Sequence, residues 1–409
     1  MHLPLATSAV GVFLFLLLAF TTATVFVPAS WPLQSFQIGI YALMAICCLV
    51  PLQGQEESRS WIRAGALLYL VPLWGALQIA LNSTSSSYAT RKEVLRWGAL
   101  ICVFALSKFV SRKERTRQIA LSCILGFGIA IAILCLLQLF TSHGNVLWIF
   151  SSGYPDVYGT FQNYDNFAQF IEIILPIALW RSVRQGWHAW WNLLAGGVLY
   201  ASVIGSASRA GAVLCTLEIL IILVAGYQRR RGWGVGRPMH HHSGVLLVIP
   251  AVAMVFTIAV GWQHVMQRFE VPDPFQARRE FLIASIQMVE AHPLMGLGLG
   301  TFPETYQRFA IRDFPFYANH AHNDWAEFAA EGGLPFLLLI AFPLLRILPA
   351  IRHNLWCLGL AMVMIHACVD FPFPRPAVSG WIFAMLGILY MAHDEDLQRD
   401  RARDETGNC

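Results

Sequence analysis

Charged side chains are scarce in this sequence: Asp, Glu, Lys and Arg make up 13% of 409 residues, against 56% hydrophobic residues. A water-soluble fold of that length needs more polar surface than this, so a globular soluble domain is excluded and much of the apolar content must face lipid. A disulfide framework is missing as well. Cys47, Cys48, Cys102, Cys123, Cys135, Cys215, Cys357 and Cys368 fall within or at the ends of apolar runs, Cys409 is terminal, and no Cys-x-x-Cys metal pattern occurs. The ten-residue alternating segments of a membrane β-barrel are absent. With a net charge of only +4 and no basic patch interleaved with aromatics, nucleic acid is not an expected partner. Met1 to Ser8 lack the positive start of a cleavable signal, so the run from Ala9 to about Pro28 reads as a retained first span.

What is there instead is a dense series of apolar runs of about 20 residues, each long enough to cross a bilayer as a helix. They predict an all-α polytopic membrane protein with about 12 transmembrane helices, at roughly 9–29, 34–52, 61–81, 93–110, 117–140, 163–180, 187–206, 210–227, 244–262, 325–348, 354–371 and 376–392. In hydrocarbon every backbone polar group must be satisfied internally, which is why these runs are helices. No room remains for a soluble module, so residues 1–409 read as one integral domain.

The Lys/Arg bias of short loops sets the orientation. Lys108, Arg112, Lys113, Arg115 and Arg117 follow the fourth run, and Arg229, Arg230, Arg231 and Arg237 follow the eighth. Both groups are expected in the cytoplasm. Alternation adds Arg59, Arg63, Arg181, Arg184, Arg346, Arg352, Arg399, Arg401 and Arg403 to that face, together with both termini and the His240-His241-His242 run. The opposite face then holds 82–90, 141–163, 206–209, 371–376 and one long loop at about 263–324, rich in Phe and Leu from Phe269 onward and expected to contain short helices. A loop of that size is either functional or a solvated linker.

Three groups on this outer face can carry chemistry, because ionisable groups kept near the membrane are functional by default. Ser206-Ala-Ser208-Arg209-Ala-Gly211 is a tight turn that presents Arg209, either to a ligand or as an ordinary interfacial anchor. The segment from Ala277 to Glu290 has helical spacing in Phe281, Ser285, Met288 and Val289, with Arg278 and Arg279 in its first turn. Arginine there opposes the helix dipole, which fits an anion held by guanidinium and backbone N–H groups together; a solvated basic face is the alternative. The Gly296-Leu-Gly298-Leu-Gly300 run precedes no βαβ unit and reads as flexible backbone rather than a dinucleotide site. Finally, His320-Ala-His322-Asn323-Asp324 leads into a span that continues through Glu331-Gly332-Gly333. Two histidines at i, i+2 without an obvious third ligand favour a proton acceptor for a hydroxyl over a metal site.

In this order and on one face, the motifs resemble the O-antigen ligase and polymerase superfamily, which includes bacterial O-linked oligosaccharyltransferases. The resemblance covers roughly 155–390: Gly159-Thr160-Phe161 with Asn163, Ser208-Arg209, Arg278 fourteen residues before His292-Pro293, the glycine run ending in Thr301-Phe302, His322-Asn323 before Glu331-Gly332, and Asp370-Phe371-Pro372. Where many relatives carry Asn-x-Asn-His, this chain has Asn163-Tyr164-Asp165-Asn166, and the first 150 residues match only as generic helices. The resemblance implies transfer of a glycan from undecaprenyl diphosphate to an acceptor hydroxyl at the periplasmic face of the bacterial inner membrane, with no cofactor and no metal. It implies that Arg209 and Arg278 grip the diphosphate and that His322, or His320, activates the acceptor, with Arg279, Asn163, Asn323 and Glu331 as further substrate contacts. Fixed guanidinium charge suits a diphosphate leaving group. The one Asp-x-Asp, Asp394-Glu395-Asp396, falls in the cytoplasmic tail, against a magnesium-dependent nucleotide-sugar enzyme. Acceptors can be a glycan, a lipid or a protein, so polymerisation of surface polysaccharide stands beside ligation. Transport of an anionic solute is the alternative from another class, although it calls for broken spans with midplane charges.

Overall fold

The structure, a computed structural model, describes residues 3–49, 66–153, 156–185, 190–232, 276–312 and 318–406. Within them the chain is helical except for a hairpin of two-residue strands, Asn145–Val146 and Phe150–Ser151. The helices are α1 (Leu3–Ala23), α2 (Trp31–Leu49), α3 (Leu70–Ala80), α4 (Ser87–Val110), α5 (Glu114–Thr141), α6 (Tyr164–Gln185), α7 (Trp190–Ser206), α8 (Arg209–Gly232), α9 (Gln276–Ala291), the single turn α10 (Phe302–Thr305), α11 (Asp324–Ile351), α12 (Leu358–His366) and α13 (Pro376–Thr406).

Among the described residues, five stretches are long and apolar enough to cross a membrane: Trp31–Leu49, Glu114–Thr141, Arg209–Gln228, Asp324–Ile351 and Pro376–Gln398. Thr7–Ala23, Leu67–Ala80 and Leu355–His366 are apolar but shorter. The expected run at 163–180 does form a helix, α6, yet it carries Asp165, Gln169 and Glu172 along an otherwise apolar length. The expected ninth span at 244–262, the His240–His242 run, Arg59, Arg63, Arg237 and residues 263–275 of the long loop lie outside the described residues.

Two expected spans differ in form. That at 325–348 is a helix broken at Gly333, whose φ of 77° and ψ of 172° divide α11 into a short leading half and a longer apolar half. Only glycine takes this conformation without strain, and a Cβ there would strike the Leu294 carbonyl. The expected span at 354–371 begins as a 3-10 turn, Leu355–Cys357, and its helix stops at His366, leaving Asp370 in the loop beyond.

The bundle closes around aromatic side chains. Trp97 of α4 meets Phe328 and Phe336 of α11, Phe373 in the loop before α13 and Phe383 of α13, and Trp381 of α13 meets Phe15, Phe127 and Phe170 of α1, α5 and α6. Such rings bury large apolar areas, here in edge-on and tilted contacts. A smaller cluster sits beside it: Phe281 and Met288 of α9, Leu297, Phe302, Tyr306 and Ala330. Residues 276–312 are therefore packed onto the leading half of α11.

Many polar groups lie toward the two ends of the helices, while Glu172, Glu218 and His366 are buried between them. At one end, Arg117 of α5 binds Glu114 and reaches Glu395 of α13 at 2.7 Å, Arg181 of α6 donates to Ser122 at 3.0 Å, and Asn354 donates to Asp396 at 3.0 Å. All of these belong to the face expected in the cytoplasm. At the other end, side chains cap the starts of four helices. Asn163 accepts from the backbone N–H groups of Asp165 and Asn166 at 2.7 and 3.2 Å, and Ser208 from Gly211 at 3.1 Å. Asn323 accepts from Ala326 at 3.0 Å and Ser86 from Ala89 at 3.4 Å. These caps satisfy donors that have no partner within their own helices.

Candidate active site

The first turn of α6 places Asp165, buried, where two elements meet. Its Oδ1 accepts from the Ser208 hydroxyl at 2.6 Å, and its Oδ2 pairs with Arg278 of α9 at 3.2 Å. Ser208 thus links the cap of α8 to the carboxylate that holds the arginine. Arg209 is the first residue of α8, directly after Ser208, and is half-buried; Arg279 is exposed beside Arg278. The helix starts after Asn163, Ser208 and Asn323 bring positive dipole ends to the same end of the bundle as the guanidinium of Arg278.

The two histidines separate. His320 Nδ1 pairs with Glu327 of α11 at 2.9 Å, and the other Glu327 oxygen accepts from the Ala321 backbone N–H at 2.6 Å. His322 Nδ1 pairs with Asp370 at 3.0 Å, and its ring lies nearly parallel to Phe281, 6.1 Å between centroids and 17° between planes. Phe371 touches both, stacking on His320 and standing edge-on to His322. Phe281 is one helical turn from Arg278, so α9 brings the arginine and the imidazole to the same place. His322 sits at φ 52°, sparsely populated for a side-chain-bearing residue, a conformation that persists where surrounding contacts over-determine it.

Asp370 is the pivot. One oxygen takes His322, the other accepts from Gln169 of α6 at 2.9 Å, and Gln169 is in turn bonded to Asn166 at 2.9 Å. Burial alone would push the Asp370 carboxyl up, but the hydrogen bond and charge of His322, with His366 and Arg278 nearby, hold it below its ordinary value. The loop that carries it is pinned from two sides: the Phe373 N–H donates to Asp324 at 3.0 Å and the Phe373 carbonyl accepts from Arg96 of α4. With Nδ1–H given to a carboxylate, an imidazole has Nε2 as its acceptor. Nε2 of His322 makes no hydrogen bond among the described residues, and the side chain is 31% exposed.

Of the predicted site residues, Arg278 and His322 come together around Asp165, Ser208 and Asp370, and His320 stands next to them on Glu327. Asn163 and Asn323 are placed as helix caps. Glu331 is buried with both oxygens on the glycine run, accepting from Gly300 and Phe302 at 2.8 Å each. The glycine run is therefore ordered: Gly298 donates to the Glu331 carbonyl at 2.9 Å, and Gln78 of α3 bonds Met295, Leu299 and Glu331. The reading of that run as flexible backbone is corrected; positive φ at Gly296, Gly298 and Gly300 lets it lie close against α11. Motif reading gave no role to Asp165, Gln169, Glu172 or His366. Their signal was spacing: Asp165, Gln169 and Glu172 fall on one face of α6, and His366 lies four residues before Asp370.

An arginine held by one buried carboxylate and a histidine held by another lie at one end of an apolar helical bundle of a membrane protein. A family model described as O-Antigen ligase matches residues 193–341, from α7 into α11, a stretch that includes Arg209, Arg278, Arg279, His320, His322, Asn323 and Glu331. The match supports a likeness to the O-antigen ligase/polymerase superfamily over that stretch, and the apolar helices among the described residues fit a multi-pass membrane protein. No curated protein matches the chain.

Proposed function

We propose that this protein transfers a glycan from undecaprenyl diphosphate to an acceptor hydroxyl at the periplasmic face of the inner membrane. The observation that carries the reading is the pair of ion pairs, Asp165–Arg278 and Asp370–His322, joined through Phe281 and Gln169. His322 Nε2 takes the acceptor's proton as the acceptor oxygen bonds to the anomeric carbon. The bond from that carbon to the diphosphate oxygen breaks, and its electron pair leaves with the phosphate. Asp370 stabilises the imidazolium that forms. Arg278, with Arg209 at the start of α8, stabilises the diphosphate charge, and the three converging helix starts add to it. A guanidinium carries five donors, enough to hold Asp165 and an anion together. Arg279, Asn163, Asn323 and Glu331 complete the proposed substrate contacts, the last three through the backbone they order.

The test is to delete the gene, complement with Arg278→Ala or His322→Ala, and analyse lipid-linked and surface glycans together. Lipid-linked glycan should accumulate and surface glycan should disappear, with the variants present in the membrane at normal levels. Normal surface glycan with either variant rejects the site. The length distribution of the remaining glycans separates polymerisation from ligation, and loss of solute uptake with glycans intact would favour transport instead.

A further inference from the structure

Beneath the site the two helices that carry it are cross-linked a second time. On α6, Asp165, Gln169 and Glu172 follow at steps of four and three, one face of a helix descending about 10 Å at 1.5 Å per residue. On the other side, His366 is one turn from Asp370, whose backbone N–H donates to the His366 carbonyl at 3.0 Å. Gln169 reaches Asp370 at 2.9 Å, and Glu172 reaches His366 Nδ1 at 2.7 Å. The result is a ladder with its upper rung in the site and its lower rung inside the bundle. Glu172 and His366 are essentially inaccessible, at 0% and 1% exposure.

A polar pair kept only for packing would be closed on itself, and this one is not. His366 Nε2 and Glu172 Oε2 are buried and have no hydrogen-bond partner among the described residues. Leaving such atoms unpaired in an apolar bundle is costly, so the pair is held for something other than its own bond. The groups around His366 show what that is. Asp165 and Glu172 face it from α6, Asp370 from its own chain segment, Glu218 lies by Glu172 on α8, and Asp324 at the start of α11 faces Asp370. Among the described residues the cations nearby are Arg278 of α9, paired to Asp165, His322, paired to Asp370, and Arg96 of α4, paired to Glu93 and acting on Asp324; α13 has no titratable residue before Tyr390. When His322 is neutral, as a base must be, the charge on Asp370 is favoured by a further cation beside it; Arg278, which also acts on it, is already paired to Asp165.

We propose that His366, oriented by Glu172, is a positioning residue that supplies this cation and so keeps Asp370 ionised beneath His322. It touches neither donor nor acceptor. Its charge acts on the base through Asp370: an ionised Asp370 fixes Nδ1 as the protonated ring nitrogen and leaves Nε2 for the acceptor hydroxyl. The inference rests on the transfer reaction proposed above.

The test uses right-side-out membrane vesicles from the deletion strain carrying the full chain, with the strain's own accumulated lipid-linked glycan as donor. His366→Gln should lower the maximal transfer rate about 10- to 100-fold, a fraction of what a general base contributes, while the half-saturating donor level stays unchanged. Because removing a cation makes His322 easier to protonate, the acidic limb of its pH profile should move to higher pH. Glu172→Gln keeps shape while removing the holder of His366, and the double variant should be no slower than the slower single variant. Wild-type rate and pH profile in His366→Gln, or effects of the two substitutions that simply multiply, overturn the proposal. If His366→Gln does not accumulate, the rate and donor dependence of Glu172→Gln decide it. His322→Gln runs in parallel: transfer surviving that substitution refutes the catalytic reading itself, whichever way the His366 result falls.

Discussion

The two ends of this bundle use the same kinds of residue differently. At the end with Arg117, the guanidinium closes on Glu114 and Glu395, and Asn354 closes on Asp396, so charge is spent tying α5, α13 and the turn before α12 together. At the end with Arg278, each carboxylate holds two side chains from other segments: Asp165 takes an arginine and a serine, Asp370 takes His322 and a glutamine. Burial separates them further. Asp370 is inaccessible at 0%, whereas Glu395 keeps 32% of its side chain exposed. The pairs at the first end fasten helices to one another, while those at the second fix the position of a partly exposed guanidinium and imidazole on buried carboxylates.

The comparison is broken most severely by Asp370→Asn. The amide presents a donor to Nδ1 and no charge to the imidazolium, so transfer should fall by about 10²- to 10⁴-fold with the protein still in the membrane. Transfer within about twofold of wild type, at equal protein levels, would show that this carboxylate does not act on the base. Gly333→Ala attacks the scaffold of the same end by forcing a side chain into a left-handed conformation against Leu294. It should cost about 1–3 kcal/mol, read as a lower melting temperature in detergent.

At the opposite end, Arg117→Ala removes the partner of two carboxylates and should destabilise by about 1–2 kcal/mol while leaving transfer per folded molecule unchanged. A change in transfer rate at equal folded protein would erase the distinction between the ends. The smallest effect is expected at Asn323. Losing its cap to alanine should cost about 1 kcal/mol, and Asn323→Asp should restore it. A direct glycan contact would show instead as a raised half-saturating donor level in both variants.

Much of the chain was legible as a string of residues because helices in lipid are a local property. Runs such as 117–140 and 210–227 became α5 and α8, and the amphipathic segment after Ala277 became α9 with both arginines in its first turn. Arg278 and His322 could be singled out because charge and imidazole are conspicuous beside apolar runs. Glu331 was conspicuous as an acid near a histidine motif, whereas its hydrogen bonds to the Gly300 and Phe302 backbone N–H groups could not be read from the sequence. The break at Gly333 was hidden inside a run that reads as one apolar span, since hydropathy does not register a backbone angle.

Composition and periodicity by themselves determined that this is a helical membrane protein with ionisable groups concentrated between its spans, because desolvation acts on each segment separately. Only the tertiary structure decided which carboxylate serves which cation. Asp165 and Arg278 are 113 residues apart and His366 and Glu172 are 194, and no local rule brings together groups at that separation. Their pairing exists because α6 packs against α12 and α9 packs against the leading half of α11, where burial makes an unmatched charge too costly to leave alone.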